Sequence, residues 1–187
     1  AIGRSVVPEL QRRGIPFRAV GRSKATLQAA FGNLSKAEIF DADLTDLRSA
    51  AAAARGVDTI IYAVGVPYPS FQLHPAMIRT PIQAAVNMKV ERLLLVSNVY
   101  SYGVPRTSHV AETHPREPVA RKGKFRKEQE DLVLEAHRNG SLQGMVVRLP
   151  DCTGPPPEPS PPHPHLRAPP PGHPAHEPGP RNALPPH

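Results

Sequence analysis

Glu91-Arg92-Leu93-Leu94-Leu95-Val96-Ser97-Asn98-Val99-Tyr100-Ser101-Tyr102-Gly103 is apolar from Leu93 to Val96 and then breaks off into hydroxyls, an amide and two phenols. A short apolar run bounded by polar residues reads as a buried strand. In a parallel α/β sheet, ligands meet the chain just beyond the carboxyl ends of the strands. Ser97, Asn98, Tyr100 and Tyr102 are therefore candidate site residues, and the rest of the chain has to supply the sheet.

Working outward, helix and strand patterns alternate. Ile2, Val6, Val7 and Leu10 share one helical face, and Gly14 stands where a helix ends. Residues 17–20 read as a strand closed by Gly21, 24–31 as a helix and 38–40 as a strand. Thr45 is placed to cap a helix through Ala50 and Ala54. Residues 57–64 form an apolar run with little alternation, the pattern of a strand buried on both faces. Ile78, Ile82, Ala85 and Val86 predict a helix over 75–88 that Pro81 kinks or delays. After the strand at 92–97 and a long polar loop, Phe125, Leu132, Val133 and Ala136 mark a helix stopped by Asn139-Gly140. Residues 144–149 give the last strand. This alternation predicts an α/β fold, a doubly wound parallel sheet with right-handed crossovers.

Composition bounds the function. The 187 residues suit one domain. Of the 25 prolines, 15 follow Gly154, so the core is expected in residues 1–154 and a disordered Pro- and His-rich tail, of an aberrant kind, in 155–187. The five histidines of that tail, at 163, 165, 173, 176 and 187, are too loosely spaced to preorganise a metal site, and no metal is expected. The single Cys152 cannot form an internal disulfide, which fits a reducing compartment. With no apolar run near the ~20 residues that span a bilayer and no signal-peptide pattern, a cytoplasmic protein without membrane contact is expected. The net charge of +7 is spread over several elements, including Arg12, Arg48 and Arg92, without a nucleic-acid motif, so a solvated basic surface is expected and nucleic acid is not.

Over residues 1–154 these elements resemble the NAD-dependent epimerase/dehydratase family of the extended short-chain dehydrogenase/reductase superfamily. That family's first strand leads into Thr-Gly-x-x-Gly-x-x-Gly, and Ala1-Ile2-Gly3-Arg4 matches only the end of it. The resemblance thus implies a Rossmann-like sheet missing its first strand, an N-terminally truncated fragment. Gly3 and Arg4 would stand at the helix start that attracts the cofactor pyrophosphate. After the second family strand, Arg22-Ser23 replaces the acidic residue of NAD-binding members. A guanidinium there suits a 2′-phosphate, so NADP is preferred over NAD. Asp43-Leu44 resembles the family's adenine-side Asp-Leu, and Ala63-Val64-Gly65 its small-residue turn beside the cofactor ribose.

Residues 97–103 resemble the family's Ser-Ser-x-x-x-Tyr-Gly. Asn98 takes the place of a substrate-binding Ser or Thr, preceded by Ser97 on the cofactor side. The family's Tyr-x-x-x-Lys proton-transfer pair is absent. If Arg126 occupies the Lys position, Lys122 replaces the Tyr; if Lys127 does, Gly123 replaces it. Lys122-Gly123 with Arg126, Glu128 and Glu130 resembles a branch of the family sharing this substituted helix. Arg148-Leu149-Pro150-Asp151 with Thr153-Gly154-Pro155 resembles its Arg-Pro-x-Asp-x-Tyr-Gly-Pro signature.

The resemblance implies oxidoreductase or isomerase chemistry on a nucleotide sugar or small carbonyl compound. Tyr100 or Tyr102 would be the proton donor, with Lys122 as the nearby cation. Two other outcomes stay open: a dinucleotide sensor without turnover, and an inactive chain of marginal stability. Substrate identity and oligomeric state are not legible.

Overall fold

The computed structural model describes residues 2–150. In chain order the elements are α1 (Ile2–Arg12), β1 (Phe17–Gly21), α2 (Lys24–Phe31), β2 (Ala37–Asp41), α3 (Leu47–Ala54), β3 (Thr59–Tyr62), α4 (Leu73–Asn87), β4 (Arg92–Asn98), α5 (Arg121–Arg138) and β5 (Gln143–Leu149). Single 3-10 turns occupy Tyr68–Ser70 and Val99–Tyr102. The expectations for Cys152, for the end of the Arg148 signature and for the 155–187 tail lie outside the described residues.

All strand pairs are parallel, which makes this a Rossmann-like α/β fold, but the ladder is in two pieces. β1 pairs with β2, and β3 pairs with β4, which pairs with β5. No ladder joins β1 to β3 among the described residues. The break in the ladder falls between β1 and β3, the place at which the resemblance implied a first strand.

The core lies against β4. Leu93 and Leu95 are fully buried beside Ile78 and Ala85 of α4 and Val133 and Ala136 of α5. Each such leucine contributes roughly 1.5–3 kcal/mol through burial. The strand alternates, with Leu93, Leu95 and Ser97 buried and Leu94, Val96 and Asn98 less so. Gly14 (φ +67°) and Gly140 (φ +74°) follow α1 and α5 in the left-handed conformation, the role their positions predict.

Three expectations need correction. The strand within 57–64 is only Thr59–Tyr62, and its burial alternates, with Ile60 and Tyr62 on the better covered face and Thr59 and Ile61 on the more exposed one. The cap of α3 is Asp46, whose carboxylate accepts from Ser49 N at 2.7 Å; Thr45 instead donates through N and Oγ1 to Asp43 Oδ1. Finally, α4 starts at Leu73 and runs through Pro81. Proline lacks the N–H that would bond the carbonyl four residues back, at Met77. The Tyr62 hydroxyl donates to that carbonyl at 3.2 Å, so the orphaned acceptor is satisfied and the helix continues.

Candidate functional site

Because every strand is parallel, their carboxyl ends share one edge. Gly3, Leu44, Ala63 and Val64 line a single cavity of about 430 Å³ that opens between β1 and β3. Its walls are mostly apolar and include Val6, Val20 and Ile61. At this edge a Cβ added to Gly3 or Gly65 meets nothing within 4 Å, so both backbones are open to close approach. Helix α1 begins at this cavity, so its first N–H groups are available to an anion there.

The remaining cofactor candidates are more divided. Arg22 is exposed and exerts its charge on Asp43, whose carboxyl is held below the ordinary range chiefly by the Thr45 hydroxyl and amide. Ser23 caps α2, its Oγ accepting from Thr26 N at 3.3 Å and Thr26 Oγ1 at 3.0 Å. Arg4 is exposed in the first turn of α1. Ser97 turns away from the crevice: its hydroxyl donates to Glu130 Oε1 at 2.6 Å and the residue is buried.

That contact opens a buried network unforeseen from sequence. Glu130, fully buried, also accepts from Arg116 at 3.0 Å and from Arg148 Nε at 2.9 Å. Arg148 donates onward to the Tyr102 hydroxyl at 3.0 Å. Burial works against the Arg148 charge, but Glu130 and Tyr102 outweigh it and hold the group above its ordinary value. Arg116 continues to Asp131 at 2.5 Å, which Lys127 also reaches at 2.6 Å. The network pins the 103–120 loop to α5 and fixes Tyr102 as an acceptor within it. No periodicity announces such a constellation, since its members come from four separate segments.

Tyr100 differs from Tyr102: it is 37% exposed, at the rim. Asn98 shapes that turn, its Oδ1 accepting from Tyr100 N at 3.2 Å. Gly123 packs against the same turn, and a Cβ there would lie 2.4 Å from the Tyr100 carbonyl oxygen. Gly123 thus faces backbone, and Lys127 is engaged with Asp131. The other register, Lys122 with Arg126, faces the aromatic side. Lys122 Nζ lies 2.9 Å from the Tyr68 ring centroid, and Arg126 lies 5.4 Å from that of Phe71.

Arg126, one of the two residues that the sequence offers for the family's Lys position, also donates to Gln129 Oε1 at 2.8 Å. Burial pushes its guanidinium below the ordinary value, while Glu130, Tyr62 and Tyr100 push back. Its charge is therefore felt at Tyr100 as well as at Glu130 and Tyr62. The four-residue spacing from Lys122 was the available signal. Beside it, His74 is buried, edge-on to Phe71 at 4.9 Å, and held near pKa 4 by burial and the Arg126 charge. Burial lifts the Tyr62 phenol to about 12.

Parallel strands, glycines open at their carboxyl edge and the start of α1 beside them fit a dinucleotide-binding α/β protein. The family model described as NAD(P)H-binding matches residues 1–157. The chain belongs to that NAD(P)H-binding family. It is 26% identical over 143 residues to a probable UDP-arabinose 4-epimerase 3 of Arabidopsis thaliana, covering 71% of this chain and 35% of that protein. The chain therefore spans about a third of the length of the curated relatives it matches.

Two solved structures share the fold. The dTDP-glucose 4,6-dehydratase DesIV of Streptomyces venezuelae, with NAD bound, superposes with a TM-score of 0.67 at 20% identity, over 79% of this chain and 52% of that one. The UDP-glucose 4-epimerase of Brucella ovis, in complex with NAD, gives 0.68 at 14% identity, over 79% and 48%. Among the described residues no helix is long and apolar enough to cross a membrane.

Proposed function

We propose that this chain binds a nicotinamide dinucleotide along the carboxyl edge of its sheet, NADP in preference to NAD, and acts on a nucleotide sugar or small carbonyl compound. The single observation that carries this reading is that Gly3, Leu44, Ala63 and Val64 line one cavity at that edge. The amino end of α1, with Gly3 open and Arg4 beside it, would receive the pyrophosphate. Exposed Arg22, where an acidic residue would select NAD, offers a bidentate partner to a 2′-phosphate. Ala63, Val64 and Gly65 leave room for the ribose.

The bound cofactor supplies or accepts the hydride. The chain's own work is to orient the substrate and move one proton. Tyr100, at the rim, gives that proton to a carbonyl oxygen or takes it from a hydroxyl through its phenolic oxygen. The Arg126 charge stabilises the oxyanion left on the phenol. Lys122, stacked on Tyr68, is a second cation on the same face. Asn98 holds the turn that presents Tyr100. Tyr102, already accepting from Arg148, serves structure.

Titration of NADPH and NADH fluorescence tests binding, and turnover is followed at 340 nm with a panel of nucleotide sugars and small carbonyls. NADPH should bind more tightly, and Arg22→Asp should reverse the order. Tyr100→Phe should lower turnover by about 10²- to 10⁴-fold, the scale of a lost proton donor, with binding unchanged. Tyr102→Phe should lower stability instead. Binding without turnover on any substrate would favour a sensor; no binding of either dinucleotide would sink the reading.

A further inference from the structure

One imidazole closes the 103–120 loop on itself. His114 Nε2 accepts from the backbone N–H of Arg106 at 3.1 Å, and His114 Nδ1 lies 2.9 Å from the carbonyl oxygen of Pro115. Each partner fixes one ring nitrogen. A backbone N–H can only donate, so Nε2 presents its lone pair; a carbonyl oxygen can only accept, so Nδ1 carries the proton. The ring that fits this loop is therefore neutral and of the Nδ1–H form. A further proton can go only to Nε2, where it would set one N–H against another.

The same ring packs on the turn that follows β4. It meets Tyr102 edge to face with centroids 5.7 Å apart, and three residues on Glu117 N donates to Tyr102 O at 3.3 Å. The charged groups around it are already engaged or in water. From β5, Arg148 lies over the Tyr102 ring, 4.9 Å from its centroid, and is paired with Glu130 of α5. Within the loop, the Arg106 guanidinium is paired with Glu117, Arg116 with Glu130 and Asp131, and Glu112 is exposed. An imidazolium here would thus lose its bond to Arg106 N while standing among three guanidinium groups.

We propose that His114 is a protonation-sensitive latch: neutral, it ties Arg106 to Pro115 and holds residues 106–115 against Tyr102; protonated at Nε2, it releases Arg106, and this part of the loop opens and uncovers Tyr102. Opening is confined to that segment, because Glu117 N keeps its bond to Tyr102 O and the strands are not involved. No dinucleotide or substrate takes part.

Nitrogen–proton NMR of the full chain tests it. At about pH 7.5, above the range in which imidazoles ordinarily titrate, the His114 ring should show the Nδ1–H form and the Arg106 amide should exchange slowly. At about pH 5.5, Arg106 exchange, after allowance for the intrinsic effect of pH, should rise by about ten-fold or more, while Leu95 in β4 stays protected. His114→Gln supplies an acceptor oxygen that does not titrate, so Arg106 should stay protected at both values; His114→Ala should leave it unprotected at both. A ring of the Nε2–H form at the higher pH overturns the proposal, as does equal Arg106 exchange in the parent chain and His114→Ala. So does an acid response that survives in His114→Gln, or one in which Leu95 loses protection together with Arg106, since that is unfolding of the whole domain.

Discussion

Gly123 leaves no room for a side chain, since a Cβ would sit 2.4 Å from the carbonyl oxygen of Tyr100 and 2.6 Å from Pro118. The Tyr100 carbonyl belongs to the backbone of the 3-10 turn and Pro118 is a rigid ring, so relief requires backbone movement. Gly123→Ala should cost about 1–3 kcal/mol in a urea melt, despite alanine's better helix propensity. His74 sets a pH dependence. Its pKa falls from 6.5 to about 4 on folding, so between those values the unfolded chain binds the additional proton. Stability is complete above pH 6.5 and falls as pH drops toward 4, by up to about 3 kcal/mol. His74→Gln should flatten that part of the profile; an unchanged slope between pH 6.5 and 4 would place the titration elsewhere.

At the scale of elements, β4, α5, β5 and the 103–120 loop meet at Glu130. Its carboxylate is fully buried and satisfies Ser97, Arg116 and Arg148 together. Glu130→Ala would strand two partly buried guanidinium groups, and a loss of roughly 3–5 kcal/mol is expected by chemical denaturation. Glu128→Ala, on the same helix, removes only an exposed pair with Arg79 at 3.9 Å and should change stability by less than about 0.5 kcal/mol. Equal effects from the two substitutions would show that the buried network is not what ties these elements. Most element positions were legible, because apolar spacing of two or about four residues reports which face a strand or helix buries. The start of α4 and its passage through Pro81 were not, because the Tyr62 hydroxyl that satisfies Met77 comes from a strand outside that window.

For the whole molecule, two half-sheets with facing unpaired edges invite pairing with other chains. Light scattering should therefore rise with concentration, and Ile61→Lys, which puts a charge on the β3 edge, should suppress it; scattering insensitive to that change would point to another surface. The parallel α/β order was legible in the sequence by itself, since periodicity is a property of neighbouring residues, while the expectation of a dinucleotide edge and the departure from Tyr-x-x-x-Lys came from the resemblance of local motifs to a family. The tertiary structure alone decided that Ser97 and Tyr102 turn into a buried ion network, that Tyr100 stays at the rim, and that Lys127 is held by Asp131 while Arg126 lies over Phe71. Those outcomes depend on side chains separated by tens of residues competing for the same partners, and a linear pattern carries no record of that competition.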